Sequence, residues 1–215
     1  MPSPVNPRRY HAPRRQKAAQ QTRSRIIAAA RELFTHNGYE QTAVSAIANL
    51  AEVSVDTIYT SIGRKPALVR AVIDDVLGEG RGPVTATARG YVEQIEAAPD
   101  ATTKFAEYAR ALGRLNPELA PLLEALHQAG LRDQECHAAW SGLVNRRAAN
   151  MRLFAANLRT TGELRADLDD DTVADLVWAT NSTEYYLLLT ARGWSTRRYT
   201  DHLVDLWTRL LLHTG

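Results

Sequence analysis

The sequence predicts an all-α protein: an N-terminal three-helix unit followed by a larger helical body. Three observations carry this prediction. Apolar residues recur at three- and four-residue spacing along nearly every segment from Thr22 onward, with little strand-like alternation. Glycine and proline interrupt the pattern at helix-length intervals, at Gly38, Gly78 to Pro83, Asn116-Pro117, Gly162 and Gly193. The length, 215 residues with 45% hydrophobic, suits a small domain plus a larger one with its own core.

The first nineteen residues form a basic, proline-containing arm with Arg8, Arg9, Arg14, Arg15 and Lys17. Its composition predicts disorder. A helix follows over Thr22 to Asn37. Ile26, Ile27, Ala30, Leu33 and Phe34 line its apolar face, and Gly38 ends it. Val44, Ile47, Ala48 and Ala51 then fall at i, i+3, i+4 and i+7 on a second, shorter helix. Thr42 is placed to cap it. The small Ala48 permits close approach of a crossing helix. Val53 breaks the stripe, Ser54 is a second cap candidate, and Ile58 and Ile62 supply the buried side of a third helix.

Two short helices joined by a tight turn over residues 42–61 read as a helix-turn-helix. The second of them leaves Ser54, Val55, Asp56, Thr57 and Thr60 facing outward. Hydroxyls suit phosphates or base edges, the Val55 methyls suit a thymine methyl, and Asp56 suits a cytosine amine. Tyr59 and Lys65 flank this face and suit phosphates, as does Arg23 from the preceding helix. Charge divides along the chain in the same sense. Residues 1–70 hold 11 Lys or Arg against 4 Asp or Glu, and residues 71–215 hold 15 against 20. A basic head on an acidic body fits a DNA-binding module joined to a domain that does not touch DNA.

TRSRIIAAARELFTHNGYEQTAVSAIANLAEVSVDTIY and the following GRKPALVRAVI resemble the tetracycline-repressor (TetR) family of bacterial transcription regulators. The resemblance covers about residues 20–78. It implies that the third helix reads the major groove and that Tyr59 and Lys65 bind phosphate. Three residues depart from the family pattern: Glu52 in place of a turn glycine, Ile62 in place of phenylalanine, and Pro66 in place of an acidic residue. A left-handed backbone at Glu52 would cost ~1–2 kcal/mol relative to glycine. Pro66 is tolerated in the first turn of a helix. The closing GWSTRRYTDHLVDLWTRLLL resembles the tail of many actinobacterial-type members.

Residues 79–215 form the expected effector-binding and dimerisation domain. A linking helix carries Leu68, Val69, Val72, Ile73 and Val76. Further helices are predicted over Val84–Ala97, Ala101–Leu115, Glu118–Ala129, Asp133–Thr161, Asp171–Arg192 and Thr196–Leu212. The glycines between Gly78 and Gly82 follow no strand and precede no Lys-Ser or Lys-Thr, so they read as a helix break rather than a phosphate loop. Tyr108, Leu112, Leu123, His127, Trp140, Phe154 and Trp178 are candidate walls of a ligand pocket, with Asn150, Asn181 and Glu184 as polar anchors. From these residues alone a filled core is the competing reading, and the family resemblance favours the pocket. Leu188, Leu189, Leu203, Leu206, Trp207 and Leu210 are candidates for a homodimer interface, a four-helix bundle across a two-fold axis. They would equally close their own core.

Catalytic and metal chemistry find no support in the pattern. His127, Cys136 and His137 lack zinc-site spacing, no GxSxG nucleophile motif is present, and Asp169-Asp170-Asp171 reads as an acidic helix start. A single cysteine excludes an internal disulfide, and no cofactor is expected. No apolar run spans a membrane and no signal peptide opens the chain, so a cytoplasmic location is expected. The expected function is thus that of a homodimeric repressor, released from a palindromic DNA operator by a small apolar effector. The alternative is a helical ligand-binding or catalytic protein whose head contacts another protein. Tyr59, Lys65 and the basic arm discriminate, because a protein-contact head does not require them.

Overall fold

The computed structural model describes residues 12–78 and 90–213, with side chains from residue 15. These segments hold α1 (Ala12–Gln41), α2 (Val44–Leu50), α3 (Val55–Ser61), α4 (Lys65–Leu77), α5 (Gly90–Ala97), α6 (Ala101–Gly130), α7 (Gln134–Arg159), α8 (Asp170–Thr180), α9 (Thr183–Ala191) and α10 (Thr196–Leu211). Among the described residues there is no strand, only one isolated antiparallel bridge between Leu164 and Leu212. The chain divides into two compact units, residues 1–72 and 73–215, and the division falls inside α4.

In the first unit α1, α2 and α3 pack on one another. Ile26, Ala30, Phe34, Ile47, Ala48, Ile58, Leu68 and Val69 make its core. The Phe34 and Tyr39 rings lie 5.9 Å apart. Gly38 adopts φ 75°, ψ 169°, so regular α1 geometry stops where the sequence places the stop. The helix starts earlier than expected, however. Residues 12–19, read as arm, are already helical, because the Ala-Ala-Gln-Gln run before Thr22 continues a helix-favouring stretch. Arg8 and Arg9, and the side chain of Arg14, lie outside the described residues.

The turn between α2 and α3 centres on Glu52, whose φ is 54°. This is the left-handed conformation that a Cβ penalises. Glu52→Gly is therefore expected to raise stability by ~1 kcal/mol, after allowing for the greater freedom of glycine in the unfolded chain. The urea midpoint checks this, and an unchanged or lower midpoint would show that Glu52 carries no strain. Ser54 caps α3 as expected, accepting a hydrogen bond from the Thr57 backbone N–H at 3.1 Å. Thr42 does not cap α2, whose N-cap is Ala43. Its hydroxyl instead donates to the Gly38 and Leu33 carbonyls at 2.7 and 3.1 Å and closes the end of α1.

In the second unit α6 is the central element, packed by α5, α7, α9 and α10. It runs unbroken through Pro117 and Pro121, against the expected separation at Asn116-Pro117. Each proline removes one intrahelical donor. The buried face nevertheless continues on both sides, through Leu112, Leu115, Leu119, Leu122 and Leu126. Asn116, itself buried, donates through Nδ2 to the Tyr199 hydroxyl of α10 at 3.1 Å. Gly113 permits the close approach of α10, since a Cβ there would meet the Thr200 Cγ2 at 2.6 Å.

Conversely, the single helix expected over Asp171–Arg192 is two. α8 ends at Asn181, and Ser182 opens α9 by accepting from the Tyr185 N–H at 3.0 Å. The acidic run does open α8. Asp169 accepts from the Thr172 N–H, while Asp170 and Asp171 pair with Arg159 and Arg152 of α7. The expected helix start at Val84 lies outside the described residues, and α5 is seen from Gly90.

Candidate nucleic-acid interface and effector cavity

On the first unit α3 presents its polar face. Asp56, Tyr59 and Thr60 are exposed, as is the cap residue Ser54, while Val55 and Thr57 are half-buried. Tyr59 is an exposed large side chain, 49% accessible, whereas Phe34 and Tyr39 of the same unit are buried. The α3 hydroxyls are locally occupied. The Ser54 and Thr57 hydroxyls share a hydrogen bond at 2.8 Å, and Thr60 donates to the Asp56 carbonyl at 2.9 Å. A hydroxyl keeps acceptor capacity when it donates, so this face still offers acceptors.

Lys65 is positioned from two sides. Its Nζ donates to the Glu40 carbonyl at 3.3 Å and lies 4.4 Å from the centre of the Tyr39 ring. Arg23 donates to the Ser61 carbonyl at 2.8 Å, so it satisfies the end of α3 as well as carrying charge near it. Thr42 leaves the candidate contact set. It is 1% exposed and its hydroxyl is spent inside the unit.

The second unit holds a partly open cavity of ≈ 180 Å³. That is slightly more than the roughly 150 Å³ apolar cavity known to take benzene. Tyr108, Leu112, Leu123, Trp140, Asn150, Phe154, Asn181 and Glu184 all lie on its wall. His127 and Trp178 do not. His127 stacks behind Trp140, with centroids 4.3 Å apart, and Trp178 lies beneath the guanidinium of Arg147, 4.6 Å from its ring centre.

The wall also includes residues that periodicity did not single out: Arg146, Arg147, Met151, Asn157 and Thr183. Arg147 falls on the same side of α7 as Val144, Asn150, Met151 and Phe154, but spacing alone does not tell a buried charged side chain from a solvated one.

A polar corner joins three elements. The Asn181 Nδ2 donates to the Tyr108 hydroxyl at 2.7 Å and to the Met151 sulfur at 2.8 Å. Arg147 donates through Nη1 to the Asn181 Oδ1 and to the Trp178 carbonyl, the latter at 2.5 Å. Burial drives the Tyr108 phenol far above its ordinary pKa, so it stays neutral and available to hydrogen-bond. Burial also pulls Arg147 below its ordinary value, opposed by Tyr108 and Glu184; an arginine remains charged even so. Arg146 is paired with Asp74 of α4 at 2.7 Å. Among the described residues no cluster of three metal-ligating side chains occurs, and Cys136 is buried.

The candidate dimer residues divide. Leu203 and Trp207 are fully buried in their own core, with the Trp207 Nε1 donating to the Thr180 hydroxyl at 2.7 Å. Leu188 is 68% exposed, and Leu189, Leu206 and Leu210 are half-buried. Among the described residues no helix is long and apolar enough to cross a membrane.

Comparison with known proteins matches this architecture. The model of the tetR family of bacterial regulatory proteins matches residues 26–72, from α1 into α4. The HTH-type transcriptional regulator UidR of Escherichia coli K12 is 32% identical over 123 residues. That match covers 52% of this chain and 62% of UidR, so less than two thirds of the relative is spanned. Two solved structures share the fold along most of the chain. A putative transcriptional regulator from Saccharomonospora viridis, in complex with choline, is 18% identical with a TM-score of 0.69. It covers 91% of this chain and 100% of its own. GusR of Salmonella enterica is 24% identical with a TM-score of 0.62, covering 88% and 95%. Residues 26–72 thus match the tetR family of bacterial regulatory proteins, and the chain shares the all-helical fold of these solved structures along most of its length.

Proposed function

We propose that the chain is a homodimeric transcriptional repressor that binds a near-palindromic operator and is released by a small molecule held in the second unit. The observation that carries this reading is the helix-turn-helix with its capped, outward-facing α3 and the positioned Lys65. The N-terminal residues of such a helix meet base edges in the major groove. One such helix covers few base pairs, and two related by a two-fold axis cover a longer, symmetric site. Leu188, Leu189, Leu206 and Leu210 remain to build that pairing, while Leu203 and Trp207 do not.

The cavity supports the effector half of the reading. Its wall is apolar with a few convergent polar groups, the usual make-up of a small-molecule site. Choline and triclosan occupy structures that share this fold. Asp74 ties α4 to Arg146 on the cavity wall, so a ligand that displaces Arg146 acts directly on α4. Regulation then requires the ligand to favour one α4 arrangement over another.

Footprinting with purified protein on DNA flanking its own gene tests the reading. The expected result is one protected, two-fold symmetric segment whose occupancy falls steeply with salt. Absence of any protected segment, or binding that ignores sequence at every salt concentration, would remove the DNA half of the proposal.

A further inference from the structure

The charges on the cavity wall are arranged unequally. Glu96 and Glu184 are exposed side chains, and Arg146 is neutralised by Asp74. Arg147 is the charge set among packed groups: the Trp178 ring on one side, with Tyr108 and Asn181 beside it. Its partners are neutral. Nη1 serves the Asn181 Oδ1 and the Trp178 carbonyl, and among the described residues Nε and Nη2 donate to nothing. Glu184 acts on it only through its field, from beyond ion-pair distance. A partly desolvated cation without an anion is unfavourable, and the free Nε/Nη2 edge is the edge a carboxylate grips with two parallel hydrogen bonds.

Resting on the effector reading above, we propose that the ligand is an organic monoanion, a carboxylate on a single-ring or short-chain apolar body. The carboxylate sits on the Nε/Nη2 edge of Arg147, and the body lies against Leu112, Leu123, Trp140 and Phe154. The Trp178 ring and Asn181 hold the guanidinium in place beforehand, so little side-chain freedom is lost on binding. One unpaired cation matches one negative charge, which favours a carboxylate over a phosphate dianion. The volume accommodates a body of about one aromatic ring.

Calorimetric titration of the full chain with 3-phenylpropanoate, its primary amide and 3-phenylpropylamine tests this, with hexanoate and hexanamide as the ring-free pair. The acids are expected to bind ~10- to 100-fold tighter than their amides, the worth of a charge-assisted pair. Arg147→Met keeps the stem and is expected to erase that preference, so that acid and amide bind alike. Arg147→Lys keeps the charge but not the fork, and is expected to retain only part of the preference; it decides the matter if Arg147→Met does not fold. Equal binding of acid and amide, preference for the amine, or a preference for acid that survives both substitutions would overturn the proposal and leave the cavity reading intact. Failure of every probe to bind at about 10 mM would overturn both.

Discussion

Lys65→Ala and Tyr59→Phe are expected to weaken binding to every DNA sequence by similar factors, whereas Val55→Ala and Thr57→Ala change which sequence is preferred. The difference follows from position. Tyr59 stands exposed on the second turn of α3 and Lys65 opens α4, where it is held in advance by the Glu40 carbonyl and the Tyr39 ring. A cation placed in this way meets a phosphate without choosing a base, and its removal lowers the log–log salt slope by about one. Val55 and Thr57 occupy the first turn of α3, where side chains reach base edges. Loss of a good base contact shifts discrimination at one position by ~1–3 kcal/mol.

Thr57 carries a second role that the measurement must separate. Its hydroxyl shares a hydrogen bond with the Ser54 cap. Thr57→Ala therefore also loosens the start of α3, and a melting curve distinguishes that from altered readout. Selection of DNA from a random library by each variant reads preference and overall affinity together. If both pairs of substitutions relax the preference equally, the division into phosphate and base contacts is wrong.

The parts of this molecule that were legible in the sequence are those governed by local rules. Ser54 and Asp169 cap their helices because a side-chain oxygen followed three residues later by a free N–H is a local event. The α7 limits follow in the same way, from Asp133 as cap and Thr160 at the other end. Pro117 misled because a local cost was outweighed at a distance: the face of α6 buried against α7 and α10 runs on past it. The break at Asn181-Ser182 escaped because neither glycine nor proline marks it. Its signal was Ser182 followed by Glu184, a helix start inside an otherwise apolar run.

The candidate site shows the same limit. Leu112 and Phe154 line the cavity, and spacing placed them on buried helix faces, but it did not separate a cavity wall from a filled core. Arg147 was not singled out by spacing, because its role depends on Trp178 and Asn181, more than thirty residues away along the chain. Long-range pairing of a charged side chain leaves no periodic trace. His127 and Trp178 failed in the opposite sense. Both are aromatic and close to the cavity, yet each packs against a wall residue instead of lining the cavity itself.

Trp207→Ala is expected to cost ~3–5 kcal/mol of folding stability, a large share of the roughly 5–15 kcal/mol a domain possesses. Trp207 is wholly buried, with its ring 5.8 Å from both Phe105 and Tyr108, stacked on the latter. Truncation removes the largest side chain of this core and leaves a cavity that α6 and α10 cannot close without shifting. Trp207→Phe should cost less, because Thr180, which loses the indole N–H, still donates to the Leu176 carbonyl at 2.8 Å. The comparison also settles what α10 does at this position. Were Trp207 a dimer residue, its loss would show as a weaker subunit association, strongest at low protein concentration. As a core residue it should lower the urea midpoint by the same amount at every concentration, with the slope of the transition unchanged. The same substitution should blunt ligand binding, since Tyr108 loses the ring it stacks on and with it the seat of Asn181 and Arg147.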